Sequence, residues 1–194
     1  MSDRIITDVS NLRASSPKLD LGNTDVLLQN LIWAHQVIVS SEPLMQLAID
    51  ESPSSAKVFR GYLQKHMAEE HDHAKWLAED LQTAGIDVTK LPLNRSAVEL
   101  AGTQYYLIKH VSPVCVLGYM AILEGFPFPL QALETLEGIH GSKLLRCLRY
   151  HAENDIEHRK ELFETIDQIN DPLIYENAIR TQYLMDEAFR GTGS

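Results

Sequence analysis

The residues best suited to do chemistry are His151, Asp155 and His158, within Arg149-Tyr-His-Ala-Glu-Asn-Asp-Ile-Glu-His158. Residues three and four apart share one face of an α-helix, so these three side chains point the same way. Extended in both directions, that face reads Leu144, Leu148, His151, Asp155, His158, Leu162. A polar trio therefore interrupts an apolar stripe of the kind a helix turns toward the core. Two imidazoles and a carboxylate buried there need compensation, and a metal ion would supply it. Taken alone, a histidine on such a face reads more simply as a core residue bonded to a backbone carbonyl. The pattern recurs earlier in the chain, however. Phe59, Leu63, His66, Glu70, His73 and Leu77 form an equivalent face, with His, acid and His set between apolar residues.

A third carboxylate, Glu124, ends the apolar face Val114, Leu117, Ala121 just before Gly125. By itself it reads as a glutamate at a frayed helix end. Beside the two trios it completes a set of three histidines and three acids: His73, His151, His158, Glu70, Glu124 and Asp155. Mixed nitrogen and oxygen donors suit Fe or Mn, and less specifically Zn. Six protein ligands are too many for one catalytic metal that must keep a position open, and about right for two.

Several elements must position these residues. Asn23 or Thr24 caps a helix carrying Leu27, Leu28, Leu31, Ile32 and His35, with Pro43 as a kink. Pro53 to Ala84 reads as one long helix closed by Gly85 in a left-handed cap. Asn94 caps a helix to about His110, and Ser112-Pro113 opens one that stops at Gly125. A shorter helix follows Phe126-Pro-Phe-Pro129. The second long helix runs from Ser142 to about Ile169, and Asp171-Pro172 opens the last, which ends near Arg190. No period-2 strand is apparent. The class is all-α with about seven helices, as residues 1–22 forming an N-terminal arm and 23–194 a single helical domain.

The totals bound the rest. The chain has 194 residues, 44% hydrophobic and 23% charged, which is ordinary for a globular protein with a full core. A formal charge of −10 without a Lys/Arg cluster argues against nucleic acid. No apolar stretch reaches the roughly 18 residues that span a bilayer, and no signal peptide is visible. Cys115 and Cys147 form no CxxC motif. A cytoplasmic protein with reduced thiols is expected.

The ordered set Glu70-x2-His73, then Glu124 in Tyr-Met-Ala-Ile-Leu-Glu-Gly, then His151-x3-Asp155-x2-His158 resembles the heme-oxygenase-like diiron oxidase (iron-containing redox enzyme) family, over roughly residues 24 to 190. The resemblance implies a seven-helix heme-oxygenase-like bundle that binds no heme. It implies an oxidoreductase with two irons (Fe/Mn as a variant) and O2 as co-substrate. The substrate would be a small molecule such as an amino acid or fatty acid, undergoing N-oxygenation, desaturation or oxidative C–C cleavage. It also implies a homodimer, and Glu70, His73, Glu124, His151, Asp155 and His158 as catalytic metal ligands. Family members place a Glu three or seven residues before the first His ligand. Here the seventh position is His66, which leaves it a supporting partner, an alternative ligand or a core histidine, and Glu69 is a weaker rival to Glu70.

Four other readings stand beside this one. A ferritin-like carboxylate protein would use Glu70-x2-His73 and Asp155-x2-His158 but leave His151 unexplained. A TenA (thiaminase II)-like hydrolase would use a Cys nucleophile, and Cys115-x3-Tyr119 resembles that family's cysteine helix. Heme on His35 would leave the two trios purposeless. A non-enzymatic metal or partner-binding module would more usually carry a closed, Cys-rich site. Phe59, Tyr62, Tyr119 and Phe126 are expected to line the substrate pocket, with Trp33, Trp76, Tyr105 and Tyr106 as core or pocket residues.

Overall fold

The structure is a computed structural model describing residues 1–16 and 18–190; Pro17 and the Gly-Thr-Gly-Ser tail lie outside. These residues form ten α-helices and no strand. They are α1 (Ser2–Ser15), α2 (Thr24–Ile38), α3 (Ser41–Glu51), α4 (Lys57–Glu69) and α5 (His73–Thr83). Next come α6 (Arg95–His110), α7 (Cys115–Leu123), α8 (Leu130–His140), α9 (Arg146–Ile169) and α10 (Pro172–Arg190). The all-α class is as expected, and the larger helix number comes from breaks and from one unexpected element.

That element is α1. Residues 1–22 read as an arm, yet Ile5 and Val9 are fully buried and α1 packs on α9 and α10. The end is anchored by Asp167, which accepts from the Ser2 backbone N–H at 2.9 Å and pairs with the N-terminal ammonium at 3.0 Å. The expected caps do form. Asn23 accepts from the amides of Asp25 and Val26, and Asn94 from those of Ser96 and Ala97. Gly85 takes φ +78°, and the amide of Ile86 returns to Leu81 O at 3.1 Å.

The expected helix over 53–84 is two helices. α4 ends at Glu69, and α5 starts at His73 after Asp72 at φ +72°. The run Glu69-Glu70-His71-Asp72 sets acids at a helix C-terminus, where the dipole disfavours them. Aspartate is also among the few non-glycine residues that adopt the left-handed conformation readily.

At the centre is α7, in which every residue from Cys115 to Ile122 is buried, as befits a helix apolar all round. It lies close against α10: a Cβ on Gly118 would stand 2.2 Å from Ile174 O and 2.8 Å from Ala178 N. Backbone atoms cannot yield as a flexible side chain does. Gly118→Ala is therefore expected to destabilise by about 3 kcal/mol, the upper end of overpacking costs, as a lowered urea midpoint would report. α7, α4, α5 and α9 together hold the polar cluster described next.

Candidate metal centre

Two groups of donors lie at the meeting of α4, α5, α7 and α9. Glu70, His73 and His151 form one, and His66, Glu124 and His158 the other; in each, one donor atom per residue lies within 4.8 Å of the others. The break between α4 and α5 sorts them. His66 sits on the last turn of α4, Glu70 caps that helix and His73 begins α5, so three residues expected on one helical face serve two neighbouring groups. Glu124 reaches the cluster from the C-cap of α7. His151 and His158 come from two turns of α9, on one face as their spacing requires.

In the first group, His73 Nδ1 lies 2.8 Å from Glu70 Oε2, leaving Nε2 for another partner. In the second, His66 Nε2 lies 3.1 Å from Glu124 Oε1. Glu70 Oε1 is 4.0 Å from His66 Nε2, so that carboxylate faces both groups. His73 and His151 meet edge to face at 4.8 Å, as do His66 and His158 at 5.3 Å. Asp155 stands in neither group. Its Oδ1 is 3.3 Å from His151 Nδ1 and 3.8 Å from His158 Nδ1, between the two imidazoles. Glu69 is also outside, a third exposed and 3.9 Å from nitrogens of His66 and His158.

Buried polar atoms are nearly always hydrogen-bonded. Here Glu70 Oε1, His73 Nε2, His151 Nε2, Glu124 Oε2 and His158 Nδ1 are buried without a partner. Such atoms, all nitrogen or oxygen, three in the first group and two in the second, fit divalent metal ions. Burial opposes charge on His66, but Glu124, then Glu70 and Glu69, prevail and hold the imidazole above its usual value. For Glu70 burial acts upward, yet the His73 hydrogen bond and the charges of His151 and His66 bring it below its ordinary range. His151 is lifted well above its ordinary value: burial disfavours the proton, and Asp155, Cys147 and Glu70 hold it more strongly.

Two further side chains fix the scaffold. Arg13 Nη2 donates to Ile122 O at 2.8 Å, and its guanidinium lies 4.2 Å from the Phe126 ring centroid. It thus clamps the chain on both sides of Glu124. Burial pushes this guanidinium down to about 10, against the opposing charge of Asp186. Asp80 on α5 is fully buried. It accepts from Arg146 Nε at 2.7 Å and from the Cys147 amide at 2.8 Å, tying α5 to the start of α9. Such long-range pairings leave no mark in sequence spacing.

Several expectations are revised. A cavity touching His66, Glu70 and Glu124 is lined by Tyr119, Ser41, Met45, Val116, Met120 and Leu123. Phe59, Tyr62 and Phe126 are not among its walls; Phe59 is in the core, and Tyr62 stacks on His66 at 5.6 Å. Tyr105 and Tyr106 are more than half exposed, because α6 turns that side outward. Trp33 is buried and bonded to Ser96 Oγ at 3.1 Å, and Trp76 packs on His73. Both cysteines are buried free thiols.

No family model matches this chain, and no curated protein matches it. Solved structures do. The chain is similar to a domain of unknown function with a heme oxygenase-like fold from Shewanella denitrificans, at 14% identity and TM-score 0.67, over 98% of this chain and 89% of that one. It is also similar to a TenA homolog from Pseudomonas syringae pv. tomato, at 14% identity and TM-score 0.77, over 98% of this chain and 91% of that one. The chain has the heme-oxygenase-like fold, which it shares with that TenA homolog. Among the described residues, no helix is long and apolar enough to cross a membrane.

Proposed function

We infer that this chain is a non-heme dimetal, in the first instance diiron, O2-dependent oxidase or oxygenase of small molecules. The observation that supports the reading is the set of five partnerless buried donor atoms, three in one donor group and two in the adjacent one. Two reduced metal ions held by Glu70, His73, His151, His66, Glu124 and His158 would supply the electrons for dioxygen chemistry. The chain's own residues do the rest. Glu70 and Glu124 offset the ions' charge, Glu70 facing both positions. Asp155 orients His151 and His158 from between them, as a carboxylate supporting histidine ligands does. Tyr62, stacked on His66 at 5.6 Å, covers one face of that imidazole. His66 enters the donor set, seven residues before His73, one of the two positions at which members of the diiron family it resembles carry a Glu. Anaerobic loading with Fe(II) and exposure to O2 is expected to give a transient visible absorption and O2 uptake. Neither signal, with no iron retained, would refute the reading.

The TenA likeness favours one alternative, hydrolysis by a Cys nucleophile. Cys115 argues against it. The thiol is buried at 1% exposure, burial and Asp171 push its pKa up against the opposing charge of Arg180, and the residue is in neither donor group. A reactive thiol needs the reverse environment. Activity that survives a chelator would select the hydrolase.

A pH dependence follows. The folded values of His66 and His151 lie above the roughly 6.5 of an unfolded histidine. Their protons therefore stabilise the metal-free fold fully below about pH 6.5, and that contribution is lost as pH rises through the folded values. Glu70 is depressed, so its contribution is lost only in acid, outside this range. Metal needs neutral imidazoles, and its affinity rises with pH. As pH rises above about 6.5, thermal melts are expected to show the metal-free protein weakening while the gain on adding Fe(II) widens.

A further inference from the structure

The cavity beside His66, Glu70 and Glu124 holds about 20 Å³, little more than one small molecule of water size. Its remaining walls are apolar, Met45, Val116, Met120 and Leu123, except for Ser41 and Tyr119. Tyr119 is 2% exposed and its hydroxyl closes no hydrogen bond. Burial raises that phenol to about 12, the Ser40 and Ser41 hydroxyls acting the other way, so it remains a neutral donor. On the outer side a groove of about 230 Å³ opens at the corner between α2 and α3, bounded by Ile38, Val39, Glu42, Pro43 and Ala74. Ser41 and Glu70 line both spaces. No lysine or arginine lines either one, and Glu42 stands at the rim, which disfavours anions.

We propose that small neutral molecules reach the centre through the α2–α3 corner past Ser41, and that the inner cavity is a seat for a diatomic ligand on the His66–Glu124 side. This rests on the dimetal reading for what the ligand meets there, while the route itself is a property of the protein without metal. Ser41, the one small hydroxyl lining both spaces, leaves room at the threshold where a larger side chain would obstruct it. The apolar walls suit an uncharged diatomic.

The route is tested on metal-free protein with hydrogen peroxide as the probe. Peroxide converts a methionine thioether to the sulfoxide and is itself reduced to water, and Met45 and Met120 line the cavity. Ser41→Trp is expected to slow sulfoxide formation at Met45 and Met120 about ten-fold, read by peptide mass, with Met185 on α10 unchanged. Ser41→Leu, the milder change, should act in the same direction if the tryptophan variant does not fold. Wild-type oxidation rates at Met45 and Met120 in a folded Ser41 variant would overturn the route. The seat is tested on Fe(II)-loaded protein by stopped-flow binding of nitric oxide. Ser41→Trp should slow association about ten-fold while both irons remain, and an unchanged rate would show that ligands arrive elsewhere. Failure of the wild type to hold iron would count against the dimetal reading alone, because the peroxide rates still decide the route.

Discussion

Replacing His66 by alanine is expected to lower the iron bound from two equivalents to one, and replacing His73 is expected to do the same at the other position. The reason is the partition of donors. His66 belongs with Glu124 and His158, and His73 with Glu70 and His151, and the two groups share no residue. Losing one of three protein donors should weaken that ion by more than the roughly 10–100-fold that loss of a supporting partner costs. The neighbouring group keeps all three of its own. Iron stoichiometry after anaerobic loading and desalting reads this directly. The double variant His66→Ala/His73→Ala should retain no tightly bound iron. Asp155→Asn serves as the contrast: a carboxylate that orients imidazoles should cost affinity at both positions by that smaller factor and remove neither ion. Two equivalents retained in His66→Ala would return His66 to the core and leave Glu124 and His158 needing another third donor.

The second large effect concerns Asp80. Its carboxylate is fully buried and accepts from the Cys147 amide and from Arg146 Nε. α9 has no side-chain cap of its own, so an acid from α5 meets the free amides and the positive end of the helix that carries His151 and His158. Truncating it to alanine leaves a buried amide without a partner and breaks a charge pair whose arginine is half exposed. The expected cost is about 3 kcal/mol, at the low end of that for breaking a fully buried pair. For a chain of this size that lowers the thermal midpoint by roughly 6–12 °C. Asp80→Asn should lose about half as much, since it keeps one acceptor for the Cys147 amide while giving up the charge. A midpoint within a degree or two of wild type for Asp80→Ala would mean that α9 is held by its apolar face alone.

What could be read before the fold was known followed local rules. Asn23 and Asn94 form their caps, Gly85 closes its helix, and His151, Asp155 and His158 share a face, because each depends only on residues within a turn or two. Glu124 was identifiable because an acid at the end of an apolar helix must either find water or a partner, and its partner is His66. The break at Asp72 was not legible. The apolar spacing from Phe59 to Leu77 runs on through it, and a left-handed aspartate is an option that spacing does not reveal. That one residue decides how His66, Glu70 and His73 divide between the two groups. The helix at the N-terminus had a signal in Ile5, Val9 and Leu12 at helical spacing, outweighed by the polar residues among them. The exposure of Tyr105 and Tyr106, the clamp of Arg13 around Glu124 and the threshold at Ser41 all depend on which helices become neighbours. Tertiary packing sets that, and no spacing within one segment encodes it.

In the proposed centre, two ions would be held by donors from the α4–α5 break, the end of α7 and two turns of α9. Anomalous diffraction from crystals loaded anaerobically with Fe(II) tests it most directly. Two peaks are predicted, one contacted by Glu70, His73 and His151 and the other by His66, Glu124 and His158. A loaded crystal with no peak among these six side chains, or with iron bound only at surface carboxylates, would contradict it.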